Sequence, residues 1–248
     1  MYLFLDIGNT RLKFCTSDGL SLLDSSAFPI DNDIQATLLR VWDDLVVVPT
    51  KCVIASVRSN NENAQIKSYL SQRFAIDVKF LKSEAIQCGV ENAYKQFELL
   101  GVDRWLGLVA ARAKAKANVL VVSCGTATTL DILRKDGRHI GGYILPGLRL
   151  MQSILNENTA EVRTTRTDFD SIEPGDSTDT CVRNAGLLAC IATIEKLAKS
   201  IQADFGDPVE CIVTGGDAPA VVKHLPIKVN HVPLLLFEGI LEIISGTQ

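Results

Sequence analysis

No Cys-x-x-Cys pair, no histidine cluster, no long apolar run and no excess of positive charge occurs in this 248-residue chain. Each absence removes a class of function. The seven cysteines (Cys15, Cys52, Cys88, Cys124, Cys181, Cys190 and Cys211) are odd in number and irregularly spaced. Neither a disulfide framework nor a zinc site is expected from them, and reduced thiols in the cytoplasm are the simple reading. The histidines, His139, His224 and His231, do not stand at metal-ligand spacing. A formal net charge of −4 without a basic stripe argues against a nucleic-acid partner. The apolar run at residues 2–5 meets Asp6 at once, so no signal peptide is expected. Residues 232–244 are interrupted by Glu238 and Glu242 and fall short of the roughly 20 apolar residues of a membrane span. They read as a core-facing terminal helix, and no membrane partner is expected.

What the chain has is a core. Hydrophobic residues make up 47% and charged residues 22%, enough apolar surface to fold one large domain or two small ones. Residues 2–7 read as a buried strand, Gly8 and Asn9 as a tight turn, and residues 11–16 as the returning strand. Residues 52–57 and 77–81 read as further strands around a helix over 62–73. Residues 102–117 predict a helix with Asp103 in its first turn and Arg112, Lys114 and Lys116 near its end, a solvated basic terminus that suits the helix dipole. In the second half Pro146 and Gly147 break the pattern and a helix is expected to follow to Asn156, then a polar loop over 157–176, a long helix over 177–199, and a strand over 211–214 running into Gly215 and Gly216.

The opening then repeats. LFLDIGNTRLKF and LVVSCGTATTLD share an apolar strand, a glycine turn with small polar residues and a second strand. Gly8 aligns with Gly125, Asn9 with Thr126 and Asp6 with Ser123. A duplication half a chain apart predicts two lobes of like topology, 1–117 and 118–248.

One such hairpin is an ordinary turn; two suggest a clamp for polyphosphate, because glycine lets backbone N–H groups approach a ligand closely. Asn9, Thr10, Thr126, Thr128 and Thr129 add side-chain donors, and Asp6 at a strand end suits a magnesium ion. In GVDRW (101–105), Asp103 and Arg104 read either as helix capping and surface charge or as a base beside an anion-binding guanidinium. TGGDAP (214–219) is either a simple turn or a nucleotide-edge loop.

DIGNTRLK (6–13), NAY (92–94), GVDRW (101–105), CGTATT (124–129), GGYILPG (141–147), STDTCV (177–182) and TGGD (214–217) follow one another in an order that resembles the type III pantothenate kinases. The resemblance implies an α/β fold of two ribonuclease-H-like lobes of the actin-like ATPase class, with mixed sheets flanked by helices. It implies transfer of the γ-phosphoryl group of ATP to the 4′-hydroxyl of pantothenate, with Mg2+ or another divalent cation, K+ or NH4+, and a homodimer. Carried over by position, Asp6, Ile7, Gly8, Asn9, Thr10, Arg11, Leu12 and Lys13 would meet the ATP phosphates, with Asp6 near the metal. Gly125 and Thr126 would form a second ATP contact, and Gly215 and Gly216 would abut the adenosine. Asp103 resembles the proton acceptor. Tyr94, Gly101, Val102, Asp103, Arg104 and Thr178 resemble the pantothenate contacts.

Two positions depart from the family pattern. Where the family has Asp-x-Gly-Thr and binds its monovalent cation, this chain has Ser123-Cys124-Gly125-Thr126. A serine offers a lone pair without charge, so potassium activation is expected to be weak or lost, and Asp131 could compensate only by pointing to that site. Phe97 stands where proline is frequent. Two alternatives stay open: a non-catalytic, nucleotide-binding accessory relative, against which Asp6 and Asp103 argue, and another actin-like enzyme such as a sugar kinase or phosphatase, against which the short length and GVDRW argue.

Overall fold

The computed structural model of the chain describes residues 1–30, 33–159, 161–164 and 166–246. The chain begins with β1 (Tyr2–Ile7), β2 (Arg11–Ser17), β3 (Leu22–Pro29), α1 (Ile34–Asp43), β4 (Lys51–Ser56), α2 (Asn60–Phe74) and β5 (Asp77–Phe80). A small hairpin, β6 (Ile86–Gln87) and β7 (Val90–Glu91), and a 3-10 turn (Phe97–Leu99) lead to α3 (Val102–Lys114). There follow β8 (Asn118–Cys124), β9 (Ala127–Leu133), β10 (His139–Pro146), α4 (Leu148–Asn158), α5 (Thr178–Phe205), β11 (Val209–Thr214), α6 (Ala218–His224), β12 (Val229–His231) and α7 (Leu235–Ser245).

Two five-stranded sheets form, in the orders β3-β2-β1-β4-β5 and β10-β9-β8-β11-β12. In each, the central strand pairs antiparallel with the strand that follows it and parallel with the next one across. The duplicated hairpin is therefore the start of a duplicated ribonuclease-H-like sheet, as the repeat predicts. Strand alternation sorts the first sheet. Leu3, Leu5 and Ile7 share a core with Leu38 and Val41 of α1 and Ile66 and Leu70 of α2. Phe4 and Asp6 point to the other face. In the second sheet, Leu120 and Val122 pack with Leu187, Ile191 and Ile194 of α5.

The lobe boundary differs from the sequence reading, which closes the first lobe at residue 117 and gives 118–248 to the second. The compact units are Met1–Ala113 together with α7, and Lys114–Leu234. α7 packs on β1 and β3, and its Gly239 lies so close to α3 that a Cβ there would overlap the Leu106 carbonyl oxygen. Its apolar face (Leu235, Phe237, Ile240, Ile243) does predict a core-facing helix, but an apolar stripe does not say which sheet it covers.

Element ends shift for local reasons. α3 stops at Lys114, and Asn118 is the buried first residue of β8 rather than a helix terminator. α5 runs to Phe205 and closes on Gly206 at φ +69°. Its start is a reciprocal cap: the Ser177 hydroxyl accepts from the Thr180 N–H, and Thr180 Oγ1 accepts from the Ser177 N–H at 3.0 Å.

Candidate active site

The first glycine hairpin hangs from the end of β1. The Gly8 N–H donates to the Arg11 carbonyl at 3.0 Å and closes the turn. Ile7 and Leu12 face one another in register and are both 0% exposed. Their side chains belong to the core, so only their backbone can meet a ligand. Asn9, Thr10 and Arg11 are exposed and Gly8 is half-buried. Asp6 and Lys13 are cross-strand partners, and Lys13 Nζ donates to Asp6 Oδ2 at 3.0 Å. The turn has a further support that sequence reading missed. Arg58, just beyond β4, reaches the Gly8 carbonyl with Nε and the Asn9 carbonyl with Nη2, each at 3.3 Å.

The second cluster of the same unit surrounds the start of α3. Glycine at 101 leaves room for the Asp103 carboxylate: a Cβ there would lie 2.6 Å from Asp103 Oδ1. That oxygen accepts from the Arg104 N–H at 2.9 Å. Asp103 is accessible to solvent, yet protein fills much of its surroundings. This partial desolvation raises its carboxyl pKa, the Asp6 carboxylate adds to the rise, and the Arg104 N–H and guanidinium oppose it. Arg104 is buried, and its Nη1 donates to the Tyr94 hydroxyl at 3.0 Å with the guanidinium 5.8 Å from the ring centroid. Asn92 shapes the loop that carries Tyr94, accepting from the Tyr94 N–H at 3.0 Å and donating to the Glu84 carbonyl at 3.2 Å. Val102 is buried beneath. Tyr94, Gly101, Val102, Asp103 and Arg104 are thus one local cluster.

In the other unit, three turns meet at the second hairpin. The Gly125 N–H donates to the Ala127 carbonyl at 3.1 Å, the Gly147 N–H to the Thr126 carbonyl at 2.9 Å, and the Asp217 N–H to the Cys124 carbonyl at 3.0 Å. Glycine is required at these meetings. A Cβ on Gly147 would overlap the Gly125 carbonyl oxygen, and one on Gly215, whose φ is +101°, would overlap the Cys124 backbone. Gly216 and Thr126 are exposed at this junction, and the Asp217 carboxylate pairs with Arg149 at 3.2 Å.

Ser123 is half-buried near the end of β8, paired in register with Thr129 and Thr214. Asp131 does not compensate for it. It is 2% exposed and its Oδ1 lies 3.0 Å from Nε2 of the equally buried His139. Thr178 is the exposed first residue of α5. The segment before α5 is tied down by Arg183, which donates to the Asp168 carbonyl at 2.7 Å and to Asp179 Oδ2 at 2.9 Å.

Among the described residues, no group of three or more His, Cys, Asp or Glu is placed to hold a metal ion. The donor set suits a divalent ion held by one carboxylate and by substrate phosphates, as small, strongly hydrated Mg2+ is commonly held. Asp6, at a strand end beside a glycine turn, is of that kind.

The model of the type III pantothenate kinase family matches residues 2–200. The type III pantothenate kinase of Nitrosococcus oceani is 32% identical over 254 residues, covering 100% of this chain and 95% of that protein. The type III pantothenate kinase of Pseudomonas aeruginosa is 34% identical over 244 residues, with 97% of each chain covered. Among solved structures, a Baf family protein from Campylobacter jejuni aligns with a TM-score of 0.63 at 20% identity, covering 99% of this chain and 98% of that one. That likeness bears on the fold alone. The family match and the identities over full length agree with the order of motifs: this chain belongs to the type III pantothenate kinase family.

Proposed function

We propose that this chain transfers the γ-phosphoryl group of ATP to the 4′-hydroxyl of pantothenate, the first step of coenzyme A synthesis. The observation that carries the reading is the cluster at the start of α3, where the solvent-accessible Asp103 carboxylate accepts from the Arg104 N–H at 2.9 Å and the buried Arg104 guanidinium donates to the Tyr94 hydroxyl at 3.0 Å. Desolvation raises the Asp103 carboxyl pKa, the direction that suits a proton acceptor. Asp103 takes the proton of the substrate hydroxyl. Arg104, oriented by Tyr94, pairs with the substrate carboxylate. Gly101, Val102 and Thr178 complete the pantothenate contacts. Residues 6–13 are the phosphate contacts of the first unit, Ile7 and Leu12 through backbone only, and the family pattern assigns Gly125 and Thr126 to ATP as well. Gly215 and Gly216 border the adenosine. Mg2+ or another divalent cation, when bound, spreads the charge of the transferring group, and Asp6 would hold it directly or through water. Everything else the protein supplies is positioning and charge compensation. A non-catalytic accessory role has no use for an accessible carboxylate held beside a buried guanidinium.

Three finer readings go with this one. Monovalent-cation activation is weak, because Ser123 brings no charge and Asp131 is turned onto His139. The setting is cytoplasmic, in keeping with seven free cysteines; no helix among the described residues is long and apolar enough to cross a membrane. The chain forms a homodimer through exposed apolar side chains of one unit: Tyr143 and Ile144 on β10, Leu150 and Ile154 on α4, and Leu188 on α5. A Tyr143→Asp, Ile144→Asp variant is expected to have half the light-scattering mass of the wild type; an unchanged mass would remove this surface from the interface.

The function is tested by ADP release from purified protein with magnesium and ATP, with and without pantothenate, in potassium and in sodium buffer. Pantothenate-dependent ADP at a similar rate in both salts is expected. Its absence in both, from folded protein, would contradict the proposal.

A further inference from the structure

We propose that Arg58 is a positioning residue for nucleotide binding, acting by fixing the peptide planes of the first glycine turn. This rests on the reading of that turn as a phosphate site.

The peptide bond is planar and trans, so a carbonyl and the N–H of the next residue point in opposite directions. Arg58 Nε and Nη2 hold the carbonyls of Gly8 and Asn9 on one side, both at 3.3 Å. The N–H groups of Asn9 and Thr10 are thereby aimed to the opposite side. A turn with two peptide N–H groups aimed the same way is an anion-binding arrangement. The guanidinium also polarises both peptides, which makes those N–H groups stronger donors. Without Arg58, an exposed Gly8–Asn9 turn is free to flip a peptide plane, since glycine tolerates either conformation.

Arg58 is itself held in place. Its Nη1 donates to Glu62 Oε1 at 2.7 Å, and Glu62 Oε2 accepts from the Ser59 N–H at 3.0 Å, closing the capping box that starts α2. The Arg58 backbone is fixed by Ser56 Oγ at 3.2 Å and by Asn63 Nδ2 on its carbonyl at 3.1 Å. The Arg58 side chain is only 16% exposed. A solvated surface arginine needs none of this. The arrangement links the phosphate turn to the end of β4 and the N-terminus of α2, where anionic ligands commonly sit in α/β sheets. Lysine could keep the pair with Glu62 but could not bridge two carbonyls with a planar fork.

The test is calorimetric binding of ATP and of pantothenate to wild type, Arg58→Ala and Arg58→Lys, with melting temperature recorded for each. Arg58→Ala is expected to weaken ATP binding about tenfold or more, the scale of lost hydrogen bonds to a charged group, while pantothenate binding stays within about twofold. Arg58→Lys is expected to melt like wild type and still lose most of the ATP affinity. Free guanidinium should partly restore ATP binding to Arg58→Ala. If wild type binds ATP and Arg58→Lys binds it equally well, the positioning role is overturned while the phosphate site stands. If wild type itself binds no ATP, the phosphate-site reading falls, and this inference with it.

Discussion

In the proposed mechanism Asp103 serves two opposed ends. As a proton acceptor it gains from the raised pKa, because a base closer to neutrality takes an alcohol proton more readily. As a folded-state carboxylate it costs stability, because it is partly desolvated and the charge of Asp6 disfavours its ionised form. The folded chain holds the Asp103 proton more tightly than the unfolded chain, so stability falls as pH rises through the raised folded pKa. Asp103→Asn removes the charge and keeps the shape. Its melting temperature is expected to exceed that of wild type at pH 7, with the gap closing on acidification below the ordinary carboxylate range. Turnover is expected to fall about 10²- to 10⁴-fold with ATP binding spared. A gap that is the same at both pH values, or wild-type turnover, would remove Asp103 from this role. At this scale the sequence is legible where residues are local: the motifs single out Asp6, Asp103, Arg104 and Tyr94 as candidates, and the structure brings Tyr94 onto Arg104. Arg58 is not legible. It stands alone in sequence, and its partners at Gly8 and Asn9 are about fifty residues away across a parallel strand pair.

Elements position these groups mainly through glycine at points of close approach. Gly239 of α7 on α3, and Gly147 and Gly215 on the second hairpin, each leave no room for a methyl group. Gly239→Ala is expected to destabilise by about 1–3 kcal/mol, the usual cost of overpacking. It should lower the melting temperature by several degrees at that cost. An unchanged melting temperature would mean that α7 shifts freely on α3. The elements missing from the sequence reading have physical excuses. β3 is exposed along most of its length, so LLDSSAFP lacks the alternation that marks a half-buried strand. α1 is a ten-residue helix buried only at Thr37, Leu38 and Val41, too short a stripe to stand out. The β6–β7 hairpin turns on Cys88 and Gly89, both at positive φ, with a non-glycine residue where the turn signal would be read.

For the molecule as a whole, duplication is the property that sequence reveals best. LFLDIGNT and LVVSCGTA predict two like sheets, and the strand orders agree element for element. What duplication cannot assign is α7, which follows the second sheet in sequence and packs on the first. The halves have also diverged in charge. Asp6 ends β1 with Lys13 as its partner, whereas Ser123 stands at the matching place on β8 and the buried Asp131 is committed to His139. In the proposed reading the carboxylate chemistry belongs to the first hairpin and the start of α3, and the second hairpin offers backbone and hydroxyl groups. The central claim is that this chain moves phosphate onto pantothenate. It is tested most directly by following the labelled γ-phosphoryl group of ATP in the presence of pantothenate, with wild type and Asp103→Asn side by side. Label on 4′-phosphopantothenate with wild type, and a large loss of it with the variant, is the predicted result. Label released only as inorganic phosphate, or product formed equally by both proteins, would contradict the account.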